Sequence, residues 1–166
     1  MVPAEYTKNH TKPLTRRVWR RQHTEKDVTE MPNDLKKYKI VIPGRLPGLN
    51  DYIKAMNHNR HNGAEMKRQN MNDVMWVIRS QMGNRKIKHP VYVRFLWVEQ
   101  DRRRDRDNIS AFGRKVILDA LVSLGTIKDD GWDYVTGFSE RYAVSKSNPR
   151  IEVELIEQDG AEGDTE

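Results

Sequence analysis

From Lys37 to Pro43 the chain alternates, with Tyr38, Ile40 and Ile42 on one side and Lys37, Lys39 and Val41 on the other, which predicts a strand that Pro43 ends. The stretch PGRLPGLNDYIKAMNHNRHNG then breaks every period, and its Pro, Gly and Asn content predicts a loop with basic and aromatic side chains interleaved. Residues 64–82 place Met71, Val74, Met75, Ile78 and Met82 at three- and four-residue spacings, an amphipathic helix with Lys67, Arg68 and Arg79 largely off its apolar face and Gly83 at its stop. A methionine-rich stripe of this kind serves a core or a dimer contact before it serves a ligand. VYVRFLWV, from Val91 to Val98, is dense in β-branched and aromatic residues and predicts a central strand. Asn108 is the expected cap of a second helix, whose apolar positions Ile109, Phe112, Val116, Ala120, Leu121 and Leu124 run until Gly125. Residues 134–144 and 150–156 alternate as two more strands, the last setting Ile151, Val153 and Leu155 opposite Glu152 and Glu154. The order β, loop, α, β, α, β, β predicts a small α+β (α/β-like) domain, one mixed sheet of about four strands with two main helices.

That domain is expected over residues 36–156. Residues 1–35 carry Pro3, Pro13, Pro32 and the basic knot RRVWRR without periodicity, and predict a flexible arm. Residues 157–166 hold five acids and no base, and predict a solvated acidic tail. The chain has no cysteine, which excludes disulfides, thiolate zinc sites and cysteine nucleophiles. No apolar run approaches the ~18–20 residues of a membrane span, and the first residues contain no signal-peptide core, so a soluble, cytoplasmic protein with no membrane partner is expected. A net charge of +6 favours a polyanionic partner. Its distribution is sharper than its sum: residues 36–90 hold twelve Lys or Arg against three acids, whereas residues 91–156 balance at eleven each. A polar contact surface is therefore expected ahead of the acidic cluster.

The chemistry concentrates between Asp101 and Asp133, where Asp105, Asp107, Asp119, Asp129, Asp130 and Asp133 accompany Arg102, Arg103, Arg104, Arg106 and Lys115. Asp105 and Asp107 are two apart at the end of a strand; in extended backbone both carboxylates leave one face and offer hard oxygen ligands to Mg²⁺ or Mn²⁺. The helix that follows returns the chain to supply Asp129 or Asp130 as a third carboxylate. Lys115 and Asp119, four apart on that helix, either form a plain salt bridge or place a cation where a phosphodiester leaving group develops charge. A D-x-D pair alone has other uses. A calcium loop starting at Asp105 meets Ile109 and Val116 where oxygen ligands belong; a nucleotide-sugar transferase needs a larger donor domain; and solvated surface acids need nothing more. His58 and His61 lack a carboxylate or thiolate to complete a zinc set, and nucleic-acid contact from their loop is the better reading. Arginines beside a phosphodiester metal site grip phosphate.

RRRDRDN, then Lys115 and Asp119 in GRKVILDAL, then LGTIKDDGWDYV, with IPGRLPGLNDY upstream, resemble the signature of the RusA-type Holliday-junction resolvases of phages and prophages over roughly residues 38–156. The resemblance implies a homodimeric, Mg²⁺-dependent crossover junction endodeoxyribonuclease that nicks opposed strands of four-way DNA junctions in recombination and repair, inside a bacterial or phage-infected cell. Carried over by position, Asp105, Asp107 and Asp130 would bind the metal, Lys115 would be the catalytic lysine, and Asp129 and Asp119 would support the site. Asn50, His58, Arg60, Arg102, Arg103 and Arg104 would contact DNA. A homodimer suits two symmetric nicks. The segment between Asn108 and Lys115 is about four residues longer than the family's, roughly one helical turn. A protein that keeps the fold and binds branched DNA without cutting it is the rival expectation.

Overall fold

The sheet is built around β2 (Val91–Glu99), which is buried on both faces along nearly its whole length. The protein is described by a computed structural model covering residues 35–158. Antiparallel β4 (Arg150–Glu157) flanks β2 on one side and parallel β3 (Val135–Val144) on the other. β1 (Lys37–Pro43) pairs antiparallel with β4, giving the order β1-β4-β2-β3. The parallel pair requires a crossover, which is α3 (Arg106–Ser123). Two further helices, α1 (Leu49–His58) and α2 (Arg60–Met82), connect β1 to β2. The α+β class with one small mixed sheet is as the pattern predicts, with three helices in place of two main ones.

Alternation decides which sheet face is covered. Ile40 and Ile42 of β1, Val93, Phe95 and Trp97 of β2, and Ile151, Val153 and Leu155 of β4 meet Val74, Ile78 and Met82 of α2 and Ile109, Phe112, Val116, Ile117, Ala120 and Leu121 of α3 in one core. At roughly 1.5–3 kcal/mol for each fully buried large apolar side chain, this layer outweighs the polar composition of the chain. α3 approaches β2 closely because residue 113 has no side chain: a Cβ on Gly113 would lie 2.9 Å from two ring carbons of Trp97. The helix ends as Gly125 enters the left-handed region (φ 66°), with the Gly125 and Thr126 amides donating to Val122 O and Leu121 O, a Schellman closure. The edge strand β1 is covered at its middle by α2, where the Gln81 amide accepts from Val41 N at 2.9 Å and donates to Val41 O at 2.7 Å.

Three expectations are corrected. The predicted loop after β1 contains α1, whose first turn is held by Gly48 N donating to the Asp51 carboxylate at 3.0 Å. The second helix starts at Arg106 with Asp105 as its N-cap, two to three residues before the expected cap at Asn108. The tail begins later than residue 157, because Glu157 closes β4: its amide donates to Lys36 O, its carboxylate accepts from the Tyr38 hydroxyl at 3.0 Å, and the residue is buried. The methionine stripe of α2 serves the core, one of the two uses expected for it: Met82 is buried, and Met71 and Met75 pack partly buried against the core. The basic arm expected over residues 1–35 lies outside the described residues apart from Leu35, as does the acidic tail beyond Gln158.

Candidate functional site

α3 carries the acidic cluster, and its start separates the two aspartates that were expected to act together. Asp105 is the extended N-cap residue (φ −67°, ψ 153°) and Asp107 sits in the first turn. The helix begins between them, so the continuous extended backbone that was expected to put both carboxylates on one strand face is absent. Asp105 lines a cavity of about 400 Å³ together with Glu99, Arg102, Arg104, Arg106 and Tyr142, and Asp107 lies outside that lining. Both carboxylates are exposed, and Asp105 makes no capping hydrogen bond, so their oxygens are open to solvent.

Further along α3, Lys115 donates to Asp119 at 2.7 Å and to Asp130 at 2.9 Å. The i, i+4 salt bridge is therefore present, and it is one part of a larger arrangement: Lys67 of α2 reaches Asp119 at 2.7 Å, so two lysines and two aspartates tie α2, α3 and the turn after α3 together. The hydrogen bond from Asp119, then that from Asp130, holds the Lys115 amine above its ordinary pKa despite partial burial, so it is a cation and not a base. Burial pushes the Asp119 carboxyl up, but the hydrogen bonds and charges of Lys115 and Lys67 together outweigh it and leave the group below its ordinary value. Asp129 shapes the turn by accepting from the Asp130 amide at 2.9 Å. Asp130 is thus the residue that meets Lys115, and Asp129 supports it.

Asp107 and Lys115 are eight residues apart, about 12 Å of helical rise. Among the described residues no three His, Asp or Glu side chains gather closely enough to hold a metal ion. The donors have the right chemistry for Mg²⁺, which takes hard oxygens, keeps several waters and needs only one or two carboxylates beside a substrate phosphate. Asp105 and Asp107 fit that mode as open carboxylates. Asp130, engaged by Lys115, does not join them in a three-carboxylate set.

No family model and no curated protein matches this chain. The site therefore stands on its geometry.

Of the residues expected at DNA, Asn50, His58 and Arg60 are exposed on α1 and at the start of α2 in place of a loop. The Asn50 amide donates to Asn108 Oδ1 at 2.8 Å, which ties the head of α1 to the first turn of α3. A Cβ on Gly48 would lie 2.5 Å from that same oxygen, so glycine is what lets the two helix starts meet. Arg102 and Arg103 are exposed, with Arg103 loosely paired to Asp101 at 3.7 Å. Arg104 differs: its guanidinium donates to both Glu99 oxygens, at 2.6 and 3.1 Å, and to Leu46 O at 3.0 Å. It is a strut between the end of β2 and the loop before α1, and any phosphate grip falls to Arg102 and Arg103.

Sequence reasoning missed the residues that frame this site. Glu99 is buried and takes Arg45 at 3.2 Å as well as Arg104; a glutamate ending an apolar strand beside an arginine run was the available signal. Lys67 gave no signal before α2 and α3 were seen packed together. Nor did the polar cluster behind the cavity, where Ser110 donates to Glu140 at 3.1 Å, the Tyr142 hydroxyl bonds both, and Arg114 pairs with Glu140 at 2.6 Å.

Proposed function

We propose that this chain is a RusA-type, Mg²⁺-dependent endonuclease that acts on branched DNA, with the four-way junction as its substrate and a homodimer as its working form. The observation that carries this reading is the Lys115–Asp130 contact: it folds the turn after α3 back onto the helix that Asp105 and Asp107 begin, in the order and on the elements that the resemblance implies. Asp105 and Asp107 would hold the ion, which supplies charge neutralisation at the phosphate and a more acidic bound water. The chain's own residues divide the remaining work. Lys115, kept cationic by Asp119 and Asp130, offsets charge on a leaving oxygen. Arg102 and Arg103 offer guanidinium groups to the phosphates that flank the branch. Two opposed nicks call for two sites related by a two-fold axis. Among the described residues, the edge of β3, which carries Phe138 at 47% exposure, offers a surface for strand pairing between protomers.

The rival reading, a branched-DNA-binding accessory without catalysis, is favoured by one observation: Asp130 is engaged by Lys115, and among the described residues no third carboxylate joins Asp105 and Asp107. A labelled synthetic four-way junction separates the two. Paired symmetric nicks in Mg²⁺, absent in EDTA and in Asp107→Asn while junction binding persists, are the expected result. Tight junction binding without cleavage in either Mg²⁺ or Mn²⁺ would establish the accessory role and end the nuclease reading.

A further inference from the structure

α1 and α2 meet at Asn59, whose side chain accepts from His61 N at 2.9 Å and starts α2 directly after α1 ends. The elbow is tight because residue 63 is glycine: a Cβ there would fall 2.1 Å from the Met56 sulfur. The two helices diverge from that point and leave an open groove of about 700 Å³, with Tyr52 and Met56 on the α1 side and Arg60, Lys67, Arg68 and Met71 on the α2 side. Arg60 and Lys67 are seven residues apart, so they follow one face of α2 over two turns, about 10.5 Å. No carboxylate lines the groove, although Glu65 bonds Arg68 from the adjoining face and Asp119 bonds Lys67 at its far end. Tyr52 stacks one ring face on Phe112 at 4.7 Å and is half-buried.

A row of cations above a floor of thioether and phenol matches an extended polyanion that carries flat apolar groups. An acidic peptide would satisfy the charges and leave the floor unused; an unpaired DNA strand uses both, through phosphate contacts and base stacking. Position adds to chemistry, because Lys67 shares Asp119 with Lys115, so the groove opens beside the Lys115–Asp130 pair. We infer that the α1–α2 groove holds an unpaired single-stranded segment of a branched DNA, its phosphates on Arg60 and Arg68 and its bases on Met56, Met71 and the open part of Tyr52. The choice of DNA rests on the proposed function, but nothing in the groove depends on catalysis.

The test uses the full chain in EDTA, with fluorescence anisotropy of a fluorescein-labelled twelve-thymidine strand, an abasic strand of equal length and a twelve-pair duplex. Expected is binding of the thymidine strand at least about fivefold tighter than of the abasic strand, as stacking of even one base requires. Arg60→Ala/Arg68→Ala should weaken the thymidine strand about tenfold, reduce its log–log salt slope by about 0.7 for each phosphate no longer neutralised, and change duplex binding far less. Circular dichroism of that double variant, altered only at exposed side chains, should match wild type. Equal affinity for thymidine and abasic strands, equal weakening on strand and duplex, or displacement by a polyglutamate peptide as effective as unlabelled strand would each overturn the inference. Junction nicking, measured separately, keeps the two readings apart: a chain that nicks junctions but binds the single strand no better than the abasic one refutes the groove alone. A chain that binds the strand through Arg60 and Arg68 yet nicks nothing refutes the nuclease alone.

Discussion

Glu99→Ala should destabilise the protein more than any substitution at its exposed acids, and the reason can be sized. Glu99 is 5% exposed and its oxygens accept from Arg104 at 2.6 and 3.1 Å and from Arg45 at 3.2 Å. Removing one partner of a buried ion pair costs about 3–5 kcal/mol, because the other charge is left desolvated. Here the Arg104 and Arg45 side chains keep 18% and 33% exposure, so water recovers part of the loss and about 2–4 kcal/mol is expected. In a domain of this size that corresponds to a fall in Tm of about 6–20 °C. Urea unfolding followed by tryptophan fluorescence measures it. A double-mutant cycle with Arg104→Ala isolates the pair: with both charges gone, the double variant should be more stable than the summed single losses by about 1–3 kcal/mol. Additive losses, or a Glu99→Ala variant within about 0.5 kcal/mol of wild type, would show that the strut carries no load. Since Arg104 directly precedes Asp105, the same variant should also bind junctions less tightly.

Gly113→Ala should cost about 1–3 kcal/mol in the same unfolding assay, since its Cβ would press on two carbons of the buried Trp97 ring, which cannot move aside. Asp119 has its pKa lowered in the fold, so its contribution to stability is present above the unfolded-state value near 3.9 and is lost as pH falls through the folded value. Asp119→Asn should therefore lower stability at neutral pH and make the decline below about pH 4 shallower; an unchanged acid limb in pH-resolved melts would contradict this assignment.

Period and burial made the sheet legible. Ile40 and Ile42, most of the run from Val91 to Val98, and Ile151, Val153 and Leu155 are buried as the pattern assigns, with Tyr38 half-buried on the side of Ile40 and Ile42. α3 was legible for the same reason, from Ile109 to Leu121. α1 was hidden because its composition is that of a loop and it buries no residue fully; the weak signals were the Gly48–Asp51 cap and the i, i+4 pair Tyr52 and Met56. The C-terminal boundary slipped because Glu157 is an acid in a run of acids, and only the Tyr38 hydroxyl and the Lys36 carbonyl place it inside the fold.

The candidate site was half legible, and the missing half has one cause. A D-x-D pair puts its side chains on one face in a strand and on diverging faces in a helix, so its meaning depends on where α3 starts, to within two residues. Asp is a preferred N-cap residue, and that preference at Asp105 was the local signal that extended backbone stops there. The resemblance implies a segment between Asn108 and Lys115 about four residues longer than the family's, and that would bear on the same question. Four added residues turn a helix by about 400°, which restores the facing of Lys115 to within about 40°, yet they also move it about 6 Å along the axis. A sequence pattern records the facing and is silent about the translation. Lys115 meets Asp130 at 2.9 Å, whereas Asp107 lies eight residues earlier, about 12 Å of helical rise, and whether these two groups act on one phosphate is what the junction-cleavage experiment measures in chemical terms.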